Sequence, residues 1–188
     1  MMKIAIRQAR PTDAEEAAPL LIDANGDITK RITGETDWKQ VEQSLCELFK
    51  RDDNLHSYLY TYIAELDGKF AGIMVLYPGE YEAEFDKNLS EWLRKKGATN
   101  FDIDSEALPG ELYIDTICIN PTFRNVGIGT QLFTYAEEIA KQTGYTKIAL
   151  NVEIQKESAL RLYKRLGYEI VSPWTIIGEP FHHMVKII

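Results

Sequence analysis

Residues 119–130 read INPTFRNVGIGT, and this stretch decides more about the fold than any other part of the chain. It follows an almost unbroken apolar run, residues 112–119, and precedes a segment with apolar residues at helical spacing. Gly127 and Gly129 permit a tight turn and a close approach of the backbone to a ligand. The free N–H groups of the helix start would then favour a pyrophosphate, with Arg124 adding positive charge at the rim. The alternative is a strand-to-helix turn whose glycines serve only close packing.

Two other classes of phosphate-binding loop do not match this turn. A dinucleotide-binding fingerprint would need a third glycine at position 132, which is Leu132. A Walker loop would need Gly-Lys followed by Ser or Thr, and the chain contains no such tripeptide. If the turn binds phosphate, it therefore belongs to a third class.

Strand and helix patterns alternate around the turn. Strands are predicted at residues 3–8, 58–66, 69–77, 112–119, 147–152, 168–171 and 182–188. The second and third strands are joined by Asp67-Gly68, a strong hairpin signal. Helices are predicted from Thr12, where Glu15 would complete a capping box, and at residues 38–49, 89–95, 130–143 and 159–166. This order predicts a mixed α/β sheet with helices on both faces.

Composition narrows the class of protein. The chain has 188 residues, which suits one domain over residues 1–188, and its net charge of −8 argues against a nucleic-acid partner. We expect a cytoplasmic protein, because the N-terminus lacks a signal-peptide pattern and no apolar run approaches the ~18 residues that span a bilayer. The two cysteines, Cys46 and Cys118, are far apart and predict neither a disulfide nor a metal site.

Three segments resemble the GNAT superfamily of N-acetyltransferases. Arg124-x-x-Gly127-x-Gly129 after a strand is similar to motif A of that family, and residues 159–168, ALRLYKRLGY, are similar to motif B. The opening Ile6-Arg7-x-Ala9-x-x-x-Asp13 resembles the usual start of the family. The matches run in the expected order from residue 3 to residue 186 and leave out only the stretch around 80–107.

The resemblance implies a mostly antiparallel, twisted sheet of about seven strands and acetyl-CoA as co-substrate, with no metal. Backbone amides of the turn would hold the CoA pyrophosphate, and the main chain of the preceding strand would pair with the pantetheine arm. The implied cofactor-binding residues are Ile117, Cys118, Ile119, Arg124, Asn125, Val126, Gly127, Ile128, Gly129 and Thr130. Asn125, Val126 and Lys156 depart from the family pattern, which usually has Gly, a basic residue and Asn there.

Acetyl transfer to an amine needs a base and a proton donor for the leaving thiolate. Motif B makes Tyr163 the candidate acid, although a tyrosine on an amphipathic helix can also simply pack. Asp115 is the candidate base because it interrupts an apolar strand, where a carboxylate is costly unless it serves a site or a structural pair. Glu111, four residues earlier on the same strand face, is a second candidate, and a water chain is a third.

The segment from about 79 to 110 is an acidic insertion that is either a surface appendage or a substrate lid. Its acidic residues are Glu80, Glu82, Glu84, Asp86, Glu91, Asp102, Asp104 and Glu106. We expect them to gather a cationic acceptor, a small primary amine. Trp38, Trp92 and Trp174 could line the acceptor pocket, though core packing is their default.

Two other functions stay open at this stage. The chain could be a non-catalytic module that binds acyl-CoA, or an enzyme that uses a longer acyl-CoA. The sequence also allows a homodimer.

Overall fold

The computed structural model describes residues 2–99, 101 and 103–188; Asp102 of the acidic insertion lies outside them. Seven strands form one sheet in the order β1-β2-β3-β4-β5-β7-β6, and only the neighbours β4 and β5 run parallel. The strands are β1 (Ile4–Gln8), β2 (Thr61–Leu66), β3 (Lys69–Pro78), β4 (Leu112–Ile119), β5 (Lys147–Glu153), β6 (Glu169–Ile176) and β7 (Glu179–Ile187). The predicted mixed, mostly antiparallel sheet of seven strands is confirmed.

Helices cover both faces of this sheet. They are α1 (Ala14–Asn25), α2 (Ile28–Thr33), α3 (Trp38–Lys50), α4 (Glu82–Lys95), α5 (Ile128–Thr143) and α6 (Glu157–Arg165). One core joins α1 and α3 to alternate residues of β2 and β3, including Ile63 and Ile73. The other core joins α5 to the opposite face, including Met74 and Leu132. Strands β3 and β4 therefore bury residues on both of their faces, as the apolar run of β4 predicted.

The hairpin between β2 and β3 has the geometry that its sequence predicts. Asp67 and Gly68 have φ of 50° and 77°, and a two-residue turn with both angles positive matches the twist of the flanking strands. The predicted hairpin is confirmed.

The predicted capping box at Thr12 and Glu15 is wrong. A short 3-10 turn over Pro11–Asp13 comes first, and Asp13 occupies the cap position of α1. The Asp13 carboxylate accepts hydrogen bonds from the Arg7 guanidinium, at 2.8 and 2.9 Å, and from the backbone N–H of Arg10 at 2.6 Å. A charge-assisted pair reaching across from β1 thus sets where the helix begins.

Three elements are longer than the sequence predicts. The helix of the insertion, α4, begins at Glu82, well before Leu89. Strand β6 continues past Ser172 and Pro173 to Ile176, because it lies at the edge of the sheet, where a proline without an N–H is tolerated. Its partner β7 is lengthened with it. In the described part of the chain, no helix is both long and apolar enough to cross a bilayer.

Candidate active site

Strands β4 and β5 separate soon after they begin. They pair only at Leu112 with Ile148 and at Tyr113 with Ala149, whereas β3 pairs with β4 from Leu112 to Ile119. The backbone of Ile117–Ile119 therefore has a strand neighbour on the β3 side alone. Such an edge offers unpaired N–H and C=O groups to an extended ligand.

A bulge in β4 changes the direction of its side chains. Thr116 pairs with Val75 and Ile114 with Leu76, so Asp115 is an extra residue in β4. As a result Cys118 packs in the core under α1 and α3, and Ile117 and Ile119 contact the core under α5. The bulge places Asp115 at the point where β4 leaves β5.

The turn between β4 and α5 presents backbone amides at a helix start. Asn125 and Gly127 have φ of 64° and 91°. The first helical bond runs from the N–H of Gln131 to the carbonyl of Gly127 at 3.1 Å, so the N–H groups of Ile128, Gly129 and Thr130 precede the hydrogen-bonded ladder. A Cβ added at Gly129 would meet no protein atom within 4 Å, so packing does not require that glycine. Open space at this point suits a bound anion.

Two other residues of the turn also have defined positions. Arg124 is exposed and its Nε donates to the carbonyl of Ile119 at 3.1 Å, which ties the turn to the end of β4. Val126 is half-buried against the core under α5. The departure from a basic residue at position 126 thus has a packing role.

A cavity of about 290 Å³ opens beside the split in the sheet. Its lining comes from helices α1, α2, α4 and α6, from β4, β5 and the hairpin of β6 and β7, and from the loops before β2 and after α4. Asp115, Tyr163 and Ile117 all line this cavity, so the two candidate catalytic side chains share one space with a strand residue implied in cofactor binding. Trp38, Trp92 and Trp174 do not line this cavity.

Asp115 is held by a short chain of hydrogen bonds. The Thr116 hydroxyl donates to its carboxylate at 2.8 Å, and the Asn25 side chain donates to the Thr116 hydroxyl at 3.3 Å. Burial raises the pKa of Asp115 above its usual value, and the bond from Thr116 opposes that rise. A carboxylate with a raised pKa is a stronger base than an ordinary aspartate.

The Tyr163 ring is fixed while its hydroxyl is free of protein partners. The ring packs edge-on against Phe133 and Tyr168, with centroids 5.8 and 6.3 Å away. No described residue forms a hydrogen bond with its hydroxyl, and burial raises its pKa above the usual value. Tyr163 therefore stays protonated at neutral pH and can donate into the cavity.

Glu111, the second candidate base, interacts with a buried histidine instead. Its carboxylate lies 3.1 Å from Nε2 of the buried His183, whose Nδ1 lies 2.7 Å from the Asn151 amide oxygen. Glu111 does not line the cavity. Cys118 is 8% exposed and burial raises its thiol pKa, so it is a poor nucleophile.

The wall opposite Asp115 is built by the acidic insertion. Glu82 accepts hydrogen bonds from the Tyr77 hydroxyl, the Ser105 hydroxyl and the backbone N–H groups of Glu106 and Ala107. These bonds fasten the loop after α4 across the cavity. The Trp174 indole donates to the carbonyl of Ser105 at 2.9 Å and fastens the same loop to β6.

The four acids at the start of the insertion have different positions. Glu82 and Asp86 line the cavity, as do Asp104 and Glu106 from the following loop. Glu80 instead accepts from the Tyr145 hydroxyl, and Glu84 is exposed. Burial, then the charge of Asp115, raise the pKa of Glu106. In the described ranges, no three His, Cys, Asp or Glu side chains are grouped so as to hold a metal ion.

One residue that lines the cavity, His56, was not predicted from the sequence. It lies in an irregular loop between α3 and β2, is 3% exposed, and burial lowers its pKa to about 4. Nothing in the local sequence connects this loop to the cavity.

Removing the Asp86 carboxylate should change how stability depends on pH. Burial, and then the charge of Glu82, raise the Asp86 pKa from 3.8 to about 7. A group with a raised folded-state pKa stabilises the protein below its unfolded pKa and loses that contribution as pH rises through the folded value. Because Asp86 is only half-buried, we expect Asp86→Asn to be more stable than the parent by on the order of 1 kcal/mol at pH 8, or ~2–4 °C in Tm.

The gain should shrink as the pH falls through the folded value of about 7, and it should disappear below about pH 3, where the parent carboxyl is protonated in both states. Thermal unfolding at pH 4, 6 and 8 measures it, with the exposed Glu84→Gln on the same helix as control. An Asp86→Asn gain that is equal at all three pH values would contradict this account.

Comparison with known proteins identifies the family. Residues 28–168 match the family model described as the acetyltransferase (GNAT) family, which covers well over half of the chain. The chain therefore belongs to this family of acyltransferases, as the resemblance of its motifs indicated.

Individual relatives agree with this family. A solved structure described as an acetyltransferase is 32% identical with a TM-score of 0.82, covering 97% of this chain and 98% of that one. An N-acetyltransferase from Staphylococcus aureus Mu50 is 26% identical with a TM-score of 0.77, over 96% and 99% of the two chains. N-alpha-acetyltransferase 50 of Danio rerio is 32% identical over 109 residues, which are 52% of this chain and 64% of that protein. The probable N-acetyltransferase san of Drosophila melanogaster is 38% identical over 77 residues, only 40% of this chain and 41% of its own length.

Proposed function

We propose that the protein transfers an acetyl group from acetyl-CoA to a primary amine of a small cationic molecule, by direct attack in a ternary complex. The observation that carries the proposal is the shared cavity of Asp115 and Tyr163 beside the open edge of β4. Asp115, and Tyr163, whose hydroxyl forms no hydrogen bond with any described residue, would then serve as base and proton donor for a thioester bound along that edge.

Two features of the chain fit acetyl-CoA. The free edge of Ile117, Cys118 and Ile119 suits the amide-containing pantetheine arm, which would pair with it as an added strand. The amides of Gly127–Thr130 at the start of α5, with Asn125 and Val126 completing the turn and Arg124 at its rim, suit the pyrophosphate. The space at Gly129 leaves room for the phosphate groups.

The residues of the cavity supply the proton transfers. Acetyl-CoA provides the thioester carbon, to which the amine nitrogen bonds as the carbon–sulfur bond breaks. Asp115 accepts the proton that the acceptor ammonium must lose before attack, directly or through a water molecule. Tyr163 donates its hydroxyl proton to the departing sulfur. The amine nitrogen loses its second proton as the amide forms, this proton returns through water to Tyr163, and Asp115 releases its own proton to solvent.

The charges of the cavity support a cationic acceptor. Asp86, Asp104, Glu106 and Asp115 line it, together with Glu153, which pairs with Lys156 at 2.7 Å. Opposite charge in a partly enclosed cleft raises the local concentration of a cation. The names of relatives such as N-alpha-acetyltransferase 50 favour a second candidate, the amino terminus of a protein.

Turnover with a panel of amines tests the proposal. We expect acetyl-CoA with small alkyl amines to release free thiol at a rate that depends on the amine, detected by a coupled thiol assay. The panel should include diamines, aminoglycosides, amino acids and peptides with free amino termini, and a longer acyl-CoA as comparison donor. Tight CoA binding without thiol release from any acceptor would instead indicate a non-catalytic binding module.

A further inference from the structure

His183 is a fully buried histidine in the middle of β7, and it does not line the cavity. Asn151 is its neighbour on β5, and Nδ1 of His183 lies 2.7 Å from the Asn151 side-chain oxygen. The other ring nitrogen, Nε2, lies 3.1 Å from the Glu111 carboxylate. The Trp174 ring of β6 packs against the imidazole, with centroids 4.9 Å apart. His183 therefore contacts three side chains that come from three different parts of the sheet.

Two of these side chains hold the loop that follows α4. The Asn151 side-chain nitrogen donates to the Glu106 carbonyl at 2.9 Å. The Trp174 indole donates to the Ser105 carbonyl, also at 2.9 Å. Two neighbouring peptide groups of the loop are thus bonded to side chains that His183 contacts. The position of the loop therefore depends on His183 through both of them.

The hydrogen bonds of Asn151 fix the tautomer of His183. The Glu106 carbonyl oxygen can only accept a hydrogen bond, so the Asn151 side chain must turn its nitrogen to Glu106 and its oxygen to His183. The facing Nδ1 of His183 must then carry a hydrogen and donate it. A donor at this position thus selects one of the two orientations of the Asn151 amide, and with it the bond to the loop.

The loop and Asn151 form part of the cavity wall near Asp115. Asn151 and Glu106 both line the cavity, as does Asp115 itself. Burial, and then the charge of Asp115, raise the pKa of Glu106, so the two carboxyl groups are close enough to interact. The Tyr113 hydroxyl also donates to the Glu106 carboxylate at 3.0 Å. A shift of Glu106 would therefore change both the charge and the shape of the space beside Asp115.

We propose that His183 is a positioning residue for the acceptor amine, acting through Asn151 and Trp174. These two side chains hold the loop so that the Glu106 carboxyl stays beside Asp115. This inference rests on the proposed acetyl transfer and adds residues that determine how its amine is bound. The proposed acetyl-CoA site is built from other parts of the chain, the edge of β4 and the start of α5. A change at His183 is therefore expected to affect the amine and not the acyl donor.

The test compares two variants that each keep one nitrogen of the imidazole. The side-chain nitrogen of asparagine lies as many bonds from the backbone as Nδ1, and that of glutamine lies as many bonds away as Nε2. We expect His183→Gln, which loses the donor to Asn151, to raise KM for the amine on the order of 10-fold, about the value of one hydrogen bond. His183→Asn keeps that donor, so its amine KM should stay near the parent value. KM for acetyl-CoA should not change in either variant.

Stability should follow the opposite order. His183→Asn leaves the buried Glu111 carboxylate without its histidine partner, whereas His183→Gln keeps a group facing it, so the asparagine variant should have the lower Tm. A purely structural role of His183 would instead give the higher amine KM to the less stable variant. Trp174→Phe is a milder change, because it keeps an aromatic ring on His183 and removes the bond to the loop. Its amine KM should also rise, with KM for acetyl-CoA as in the parent, even if one of the histidine variants does not fold.

The outcomes separate this inference from the proposed function. If amine KM is unchanged in either His183→Gln or Trp174→Phe, or if it rises most in the less stable histidine variant, the inference is wrong and acetyl transfer stands. If no amine is acetylated, the proposed function fails, and amide exchange measured by NMR at Glu106 and Ala107, whose N–H groups donate to Glu82, decides about the loop alone. Faster exchange in His183→Gln than in His183→Asn would support the role of His183, and an equal or reversed order would overturn it.

Discussion

Replacing Gly129 with glutamate is expected to weaken CoA binding on the order of 100-fold or more while leaving the protein folded. A Cβ added at Gly129 would meet no atom from other described parts of the chain within 4 Å, and Gly129 is not in the left-handed region, so we expect the fold to accommodate the substitution. It does place a carboxylate beside the amides of the α5 N-terminus, where an anionic ligand would otherwise lie. Titration calorimetry with CoA, and the rise in Tm on adding CoA, measure the effect.

Gly129→Ala is the matched control for steric effects. Alanine adds the Cβ without the charge and improves helix propensity by up to about 1 kcal/mol, so we expect higher stability and a much smaller loss of affinity. Gly127 is a poorer position for the same test, because its φ of 91° would strain any side chain. An unchanged Kd for CoA in Gly129→Glu would show that the cofactor binds elsewhere.

Tyr163→Phe should lower kcat on the order of 100-fold with little change in the Kd for CoA. The phenyl ring keeps the contacts with Phe133 and Tyr168, while the hydroxyl that has no protein partner is lost. Donation from a positioned side chain typically contributes ~10²–10⁴-fold to a rate, and kcat is where a transition-state interaction is seen. Steady-state kinetics with a saturating amine and acetyl-CoA measure it.

The neighbouring Tyr168→Phe supplies an internal comparison. Tyr168 is 1% exposed, its hydroxyl also has no hydrogen-bond partner among the described residues, and it does not line the cavity. Removing that buried hydroxyl should stabilise the protein or leave its stability unchanged, with kcat as in the parent. If Tyr163→Phe and Tyr168→Phe gave the same kcat, Tyr163 would be a packing residue.

The features that could be predicted from the sequence are those that depend on residues adjacent in the chain. Asp67-Gly68 needs two positive φ angles, and the strand, turn and helix around Gly127 form a continuous segment. The bulge at Asp115 was not predictable, because it depends on how β4 registers against β3. The alternation of side chains along a strand predicted that Glu111 lies on the same face as Asp115 and could act as a base. The sequence could not predict that Glu111 instead lies beside His183, because these residues are far apart in the chain.

The acidic insertion is a second case in which the sequence could not predict the surroundings of individual residues. Its composition indicated a cationic ligand, but four adjacent acids met four different environments. Glu80 accepts a hydrogen bond from Tyr145, and Glu82 accepts hydrogen bonds from the loop that follows α4. Glu84 is exposed to solvent, whereas Asp86 lines the cavity. The number of acidic residues therefore indicates which segment carries negative charge, but only the structure shows that Asp86 lines the cavity and that Glu84 does not.

The two ends of this insertion, at Gly79 and Glu111, lie next to each other in the sheet. Pro78 pairs with Leu112, the N–H of Gly79 donates to the carbonyl of Glu111 at 2.8 Å, and a Cβ at Gly79 would lie 2.1 Å from the Leu108 carbonyl oxygen. The segment thus leaves and rejoins the sheet at neighbouring positions, and the entropy of closing a loop rises only slowly with its length. During evolution, such a segment can be lengthened, shortened or exchanged without disturbing the strand edge and the helix start. Under the proposed function, we expect selectivity for the amine to be able to change without a change in affinity for the acyl donor.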